Sequence, residues 1–305
     1  MYRPLLLLAV AVLACAADRI PTVVCGSSVV HDLVRQVGGS RIQAVSLIPP
    51  GVDAHAFQPK PEDAKLLQAA DLLVVNGLGF EGWYEKLVAD ASFPKDRIVV
   101  AAAGVTPLTM EEGDHDHHGH DHGHAHTEDG GVADPHAFGD VRNVMRYVEN
   151  IRDGLIRLDP KGEAEFRLLA DLQLAELRAL DGWVKKTLAR IPAAQRVVIT
   201  NHDAMQYFAK AYGFEVRAPN TMFEDSQPAA KQVADLVAFL KGQQVKAVFI
   251  EHAKNPKLME QIAAEAGIGL GRPLFLDGVP PGGHPWTGYR GMVVSNVLAL
   301  TAALQ

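Results

Sequence analysis

Seven of the chain's 13 histidines fall inside one short run, residues 113–126: His115, His117, His118, His120, His122, His124 and His126, interleaved with Asp114, Asp116 and Asp121. Neutral imidazole is a good ligand for Zn²⁺, Cu²⁺ and Ni²⁺, and the carboxylates add negative charge. Residues 104–134 around the run show no apolar periodicity, which predicts a disordered loop. Such a loop binds these ions weakly and interchangeably, because ordering it costs entropy and nothing in it imposes a geometry. A plainer reading, a solvating linker, stays open. An affinity tag does not fit, since the run is internal and carries acids.

An ordered site has to come from the six histidines outside that run: His31, His55, His136, His202, His252 and His284. Position separates them. His55 follows a strand-like segment ending at Ile48, in Pro49-Pro50-Gly51-Val52-Asp53-Ala54-His55, where α/β sheets carry their ligand-binding loops. His136 closes Ala133-Asp134-Pro135-His136, at the return from the His-rich run. His202 comes directly after the apolar segment 197–200, and Asp277 follows 274–276 in the same manner. Three imidazoles and one carboxylate make a tetrahedral set suited to Zn²⁺. They serve oxygen-seeking Mg²⁺ or Ca²⁺ poorly and are tolerable for Mn²⁺, which usually takes more oxygen. A single loop histidine is more often simply exposed, so spacing nominates these four without proving a site. Glu251 and Asp203 are candidates to orient a ligand ring, because a ligating imidazole usually donates its other N–H to an acceptor. His31 reads as helix surface, His252 as solvated or packed, and His284 as a loop residue.

Positioning the four residues requires strand exits in both halves of the chain, and the hydrophobic pattern supplies them. Segments 20–25, 42–48, 71–75 and 98–101 read as strands, and 29–37, 61–70 and 81–89 as helices, the second opened by Pro61. This βαβ rhythm predicts one parallel-sheet lobe. Strands resume at 196–200, 245–250 and 274–276, with helices at 205–212 and 231–241. Between the halves, over 163–191, Phe166, Leu169, Leu172, Leu177, Leu180, Trp183 and Leu188 recur mostly at helical intervals. One long helix follows, broken by no proline and by no glycine except Gly182, and it should hold the lobes at a nearly fixed separation. The expected division is a signal peptide over 1–17, an N-terminal α/β lobe over 18–158, a linking helix over 159–191 and a C-terminal α/β lobe over 192–305. The fold class is α/β, with mostly parallel sheets and the metal site in the cleft between two lobes.

Bulk properties agree. At 305 residues the chain exceeds one comfortable hydrophobic core. With 48% apolar and 21% charged residues it is ordinary for a globular protein. A net charge of -7 and the lack of any basic block leave no electrostatic footprint for nucleic acid or anionic lipid. Met1-Tyr2-Arg3-Pro4, the apolar run 5–13 and Ala14-Cys15-Ala16 fit a secretory signal peptide, too short to span a bilayer stably. A rival reading makes Cys15 the lipidated residue of a membrane anchor. Cleavage after Ala16 leaves Cys25 alone, so no intramolecular disulfide forms, and Cys25 packs as a small hydrophobe.

Several stretches, taken in order, carry a resemblance. Gly38-Gly39-Ser40-Arg41 precedes Leu47-Ile48-Pro49-Pro50-Gly51-Val52-Asp53-Ala54-His55-Ala56-Phe57-Gln58-Pro59; Ala69-Ala70-Asp71-Leu72-Leu73-Val74-Val75-Asn76-Gly77-Leu78 follows, with Glu81 and Trp83. Then come Asp134-Pro135-His136, Thr200-Asn201-His202-Asp203-Ala204-Met205-Gln206-Tyr207-Phe208, Phe249-Ile250-Glu251 with Asn255, and Leu276-Asp277. Together they resemble the zinc/manganese solute-binding proteins of ABC transporters, in the rigid-helix, TroA-like cluster that includes periplasmic zinc-uptake proteins. The similarity covers nearly all of the chain after the signal peptide. Phe138 and Gly139 stand where that family usually has Trp and Leu.

The resemblance implies a periplasmic protein that captures Zn²⁺, or less readily Mn²⁺, with His55, His136, His202 and Asp277. Members with His rather than Glu at the third position are often those associated with zinc. It also implies a paired permease and ATPase, a His-rich loop that accepts metal, in one reading from a periplasmic metallochaperone, and a chain working as a monomer. A zinc hydrolase would need an open coordination position and a general base; four protein ligands and the lack of any H-E-x-x-H helix argue against it. A metal-buffering or cell-adhesion protein without a transport role stays open.

Overall fold

The computed structural model describes residues 19–110, 131–219, 230–242 and 245–305; the expected signal peptide and the His-rich run 113–126 lie outside the described residues. The first half alternates as its apolar runs require: β1 (Thr22–Cys25), α1 (Ser28–Gly38), β2 (Gln43–Ser46), α2 (Pro61–Gln68), β3 (Leu72–Val75), α3 (Tyr84–Asp90) and β4 (Ile98–Val100). Its strands pair in parallel in the order β2-β1-β3-β4. Val23, Cys25 and Val74 face one apolar layer and Val24, Leu73 and Val75 the other. Burial on both faces is why the two central strands, β1 and β3, read as runs that do not alternate apolar with polar. Local chemistry starts the helices. Ser27 Oγ accepts from the Val30 amide at 3.3 Å, and Asp63 accepts from the Lys60 amide at 2.7 Å beside Pro61.

The second half contains α4 (Val141–Leu158), α5 (Glu163–Leu188), β5 (Val197–Ile199), α6 (Gln206–Tyr212), β6 (Glu215–Arg217), α7 (Ala230–Gly242), β7 (Ala247–Val248), α8 (Lys257–Ala266), β8 (Gly269–Leu270) and α9 (Gly288–Leu304). β5 pairs with β6 and β7 with β8, both in parallel, and the Phe249 amide donates to the Ile199 carbonyl at 2.8 Å, joining the two pairs. The expected strand at 274–276 does not form. Only a single parallel bridge links Glu251 to Leu274. The Asn296 side chain from α9 takes both backbone groups of Phe275, accepting from its amide at 2.9 Å and donating to its carbonyl at 2.7 Å, so no ladder continues.

The long helix α5 packs against α1, α4 and α9. At about 1.5 Å per residue it is roughly 39 Å long. Its buried stripe runs through Phe166, Ala170, Leu174, Leu177, Leu180, Val184 and Leu188. Leu172, expected in that stripe, is 60% exposed. Six positions after Phe166 is about 240° around the helix, on the far side, and Leu174 takes the inward place. Both ends of the stretch 104–134, expected to be a disordered loop, are ordered among the described residues. Thr109 and Ala133 form an antiparallel bridge, the Met110 amide donates to Val132 at 2.9 Å, and the Asp134 amide donates to Leu108 at 2.8 Å. Val105 and Leu108 pack against the core.

Several buried hydrogen bonds tie the two halves together. The Tyr207 hydroxyl on α6 accepts from the Leu108 amide at 2.9 Å and donates to the Asp134 carbonyl at 3.1 Å. The Tyr289 hydroxyl on α9 donates to the Phe138 carbonyl at 2.8 Å, and its amide donates to Asp32 on α1 at 2.8 Å. Phe138 is buried, 1% exposed. Cys25 is buried without a disulfide, and burial pushes its thiol pKa up, leaving it an inert core residue. Among the described residues no helix is long and apolar enough to cross a membrane.

Candidate metal centre

Four loops converge between the halves. His55 arrives on the irregular segment after β2, which turns at Gly51 with φ of 81°, a conformation natural to glycine. His136 stands directly before the turn leading into α4, His202 directly after β5, and Asp277 beyond the Glu251–Leu274 bridge. Their ligand atoms all lie within 4.8 Å of one another. His136 Nε2 is 3.3 Å from His55 Nε2. Asp277 Oδ1 is 3.3 Å from His136 Nε2, 3.5 Å from His202 Nε2 and 3.6 Å from His55 Nε2. A tetrahedron with bonds of about 2.0–2.2 Å has edges of roughly 3.3–3.6 Å, the same spacing. His202 Nε2 and Asp277 Oδ1 are buried and, among the described residues, make no well-directed hydrogen bond, which suits atoms that bind a cation.

Each ring is aimed by its surroundings. Asp134 Oδ1 accepts from the His136 backbone amide at 2.8 Å and lies 2.9 Å from Nδ1, so in the neutral, ligating ring the proton stays on Nδ1 and the Nε2 lone pair faces the cluster. Behind it, Asn76 Nδ2 donates to the Pro135 carbonyl at 3.0 Å, and Asn76 is held by the Tyr147 hydroxyl at 2.9 Å and by the Glu81 carboxylate at 2.7 Å. Burial raises the Glu81 pKa to about 7 against the pull of the backbone amides it accepts from. Glu251 does the corresponding work for His202. One oxygen accepts from the backbone amide at 2.8 Å and the other lies 2.6 Å from Nδ1, a close electrostatic contact rather than a well-directed hydrogen bond. The Phe80 ring meets His55 edge-on at 5.2 Å and His136 at 5.9 Å, walling the site with apolar surface.

The electrostatics follow from that packing. Burial presses the His136 pKa down, but the bonds to Asp134 and Asp277 more than offset it and raise the value to about 9. Burial likewise opposes charge on His202, yet Glu251 and Asp277 carry its pKa well above the ordinary range. For His55 burial wins over Asp277 and the pKa is lowered. Burial alone would push Asp277 up; His202, His55 and His136 hold it well below the usual carboxylate range. A set of neutral imidazoles with one carboxylate leaves a divalent ion partly uncompensated, and the carboxylates of Asp134 and Glu251 behind the rings offset what remains.

The remaining sequence candidates fall elsewhere. Asp203, expected as an orienting acceptor, instead takes the Gln206 side chain at 2.8 Å in the first turn of α6 and aims no ring. Asp134 holds the place that Asp203 was expected to share with Glu251. A signal for it existed: Asp53-Ala54-His55 and Asp134-Pro135-His136 repeat the same Asp-x-His spacing, and in both the Asp accepts the amide of the His two residues on. His252 is exposed and stacks on Phe275 at 4.7 Å, with His284 against the same ring at 5.1 Å, outside the cluster. His31 is half-buried on α1. The seven histidines of the run 113–126 lie outside the described residues.

Known proteins share this architecture. The family model ZnuA, "Zinc-uptake complex component A periplasmic", matches residues 23–303. The manganese-binding lipoprotein MntA of Halalkalibacterium halodurans is 29% identical over 282 residues, covering 92% of this chain and 88% of that protein. The iron-binding protein YfeA of Yersinia pestis is 30% identical over 255 residues, covering 84% and 77%. Among solved structures, the periplasmic zinc-binding protein TroA from Treponema pallidum superposes with a TM-score of 0.83 at 27% identity, covering 93% of this chain and 99% of that one.

Proposed function

The chain belongs to the periplasmic zinc-uptake component A family, the substrate-binding components of metal ABC importers, and from that premise we propose that its cargo is Zn²⁺, held by His55, His136, His202 and Asp277. The observation that carries this reading is the convergence of the four donor atoms, all within 4.8 Å of one another and with four of their six separations at 3.3–3.6 Å, the edge length of a tetrahedron of nitrogen and oxygen around zinc. Three imidazoles with one carboxylate favour zinc over manganese, which prefers more oxygen. The second reading is manganese, favoured by the names of relatives such as MntA. Competition titrations of the metal-free protein with Zn²⁺, Mn²⁺ and Cu²⁺ decide between them. One tight Zn²⁺ site, preferred over Mn²⁺ by roughly 10³-fold, is expected from ligand type. A preference for Mn²⁺ would refute the zinc assignment and leave the importer role standing.

In this reading the protein is exported by residues 1–17 to the periplasm, acts as a monomer of two lobes over 18–158 and 192–305 joined by 159–191, and passes its ion to a permease driven by an ATPase. Lipid attachment at Cys15 is the competing mode of localisation, consistent with the lipoproteins among its relatives. His115, His117, His118, His120, His122, His124 and His126 form a second, weaker pool that accepts zinc, from a metallochaperone or from solution, and raises its local concentration beside the cleft. Deleting residues 114–126 should slow loading at low free zinc while cleft affinity stays within about threefold, since the four cleft donors are untouched. Loss of the tight site on deletion would place the run inside that site.

A further inference from the structure

The two Asp-x-His segments differ in what the aspartate does next. Asp134 accepts the His136 amide and also reaches the ring Nδ1, so one carboxylate fixes both backbone and imidazole. Asp53 accepts the His55 amide at 3.0 Å through Oδ1, but its Oδ2 lies 2.5 Å from Lys254 Nζ, 201 residues along the chain. Among the described residues no carboxylate other than Asp277 of the cluster itself contacts the His55 ring. His55 is also the most open member of the cluster, with its side chain 16% exposed where the other three are 0–5%. Its loop is irregular, and besides the His55 ring it approaches the C-terminal half at Gly51, beside the His252 ring and Pro281.

Lys254 stands on the turn that begins at Glu251, and its amide donates to the Glu251 carbonyl at 3.1 Å. That one turn therefore supports two ligands from opposite halves: Glu251 aims His202, and Lys254 holds Asp53, which holds His55. The ion pair is mostly buried, 17% and 15% exposed, so it is screened far less than a surface pair.

We propose that the Asp53–Lys254 ion pair is an interlobe latch that keeps the His55 loop closed over the bound ion, and that Lys254 is thereby a positioning residue that sets the rate of metal release. The inference rests on the cleft holding metal. Opening the latch frees the one ligand ring with no carboxylate behind it among the described residues, so the ion leaves past His55 while His136, His202 and Asp277 stay in place.

Stopped-flow release of Zn²⁺ from loaded protein into excess chelator tests this with K254M, K254R, D53N and the D53N/K254M double variant. Asn at position 53 keeps an acceptor for the His55 amide and removes only the charge. K254M and D53N should each speed release about tenfold, the range between an exposed and a buried ion pair, with capture rates unchanged within about threefold. The double variant should match the single variants, and K254R should restore slow release. Release at the wild-type rate, additive effects in the double variant, or a K254R variant as fast as K254M would overturn the latch. So would slower release in K254M, which would mean that Lys254 acts on the ion by charge repulsion. A metal-free readout separates this inference from the zinc reading: amide hydrogen exchange at His55 should be faster in K254M apoprotein than in wild type. Unchanged exchange refutes the latch whatever metal the cleft prefers, whereas faster exchange in a protein that ignores zinc refutes only the zinc assignment.

Discussion

His202→Ala is expected to lower zinc affinity by roughly 10³-fold, while His252→Ala changes it by less than about threefold; four-ligand zinc sites gain about 10–16 kcal/mol in all, a few per ligand. The two histidines lie in segments joined by Glu251, yet only His202 points a nitrogen at the cluster, 3.5 Å from Asp277 Oδ1. His252 is stacked on Phe275 at 4.7 Å and exposed. Removing the His202 ring has a second cost. Glu251 is 2% exposed and loses the imidazole 2.6 Å from its oxygen, which leaves a buried carboxylate without its partner. The metal-free variant should therefore also melt at a lower temperature than wild type, whereas a Glu251→Gln variant, which keeps both ring and shape, should retain the fold and lose about 10–100-fold in affinity through misorientation of His202. Chelator competition and thermal melting on the same preparations check both. Equal losses for His202→Ala and His252→Ala would refute the ligand assignment.

Metal affinity should climb steeply with pH, approaching 100-fold per unit near neutrality, because two protons must leave the site when the ion enters. The sign follows from the rings. An imidazole ligates only when its ligating nitrogen is free, and in the metal-free site the His136 pKa is raised to about 9 while that of His202 is raised well above its ordinary value. Both rings are then protonated at pH 7 and both compete with metal. His55, its pKa lowered by burial, is already neutral and asks for no proton. Linkage runs the other way for the empty protein. A histidine raised in the folded state stabilises that state fully below the unfolded value of about 6.5 and loses that contribution as pH rises through about 9. Acid therefore favours the protonated, empty cleft and alkali the loaded one. Calorimetry in two buffers of different ionisation enthalpy should report about two protons released per ion at pH 7; a value near zero would show that the rings are neutral before metal arrives.

Much of the N-terminal half is legible in its residues. Apolar runs near Val23, Leu73 and Val99 and Pro61 at a helix start are local signals, each spanning a few positions, and they predict β1 to β4 with the helices between them. The C-terminal half is less so. The strand expected at 274–276 is dissolved by Asn296, a side chain 21 residues away from Phe275, and the apolar pattern gave no expectation for α4, α8 or α9. Within α5 the helix itself is evident, but Leu172 counts as inward only when apolar character is tallied without its angle around the axis.

The candidate ligands show the same division. Their residue types, and their places after strand-like segments or at the return from the His-rich run, are properties of the chain, and they suffice to nominate His55, His136, His202 and Asp277. The sequence by itself thus determined which donors are available and what ions they suit. Only the tertiary structure decided that their atoms converge within 4.8 Å of one another, that Asp134 and Glu251 rather than Asp203 lie against the rings, and that Lys254 reaches Asp53. The reason is range. Capping, turn chemistry and hydrophobic period act over a few residues, whereas Glu251 reaches His202 across 49 positions and Lys254 reaches Asp53 across 201, and both contacts exist only once the two halves have packed around α5.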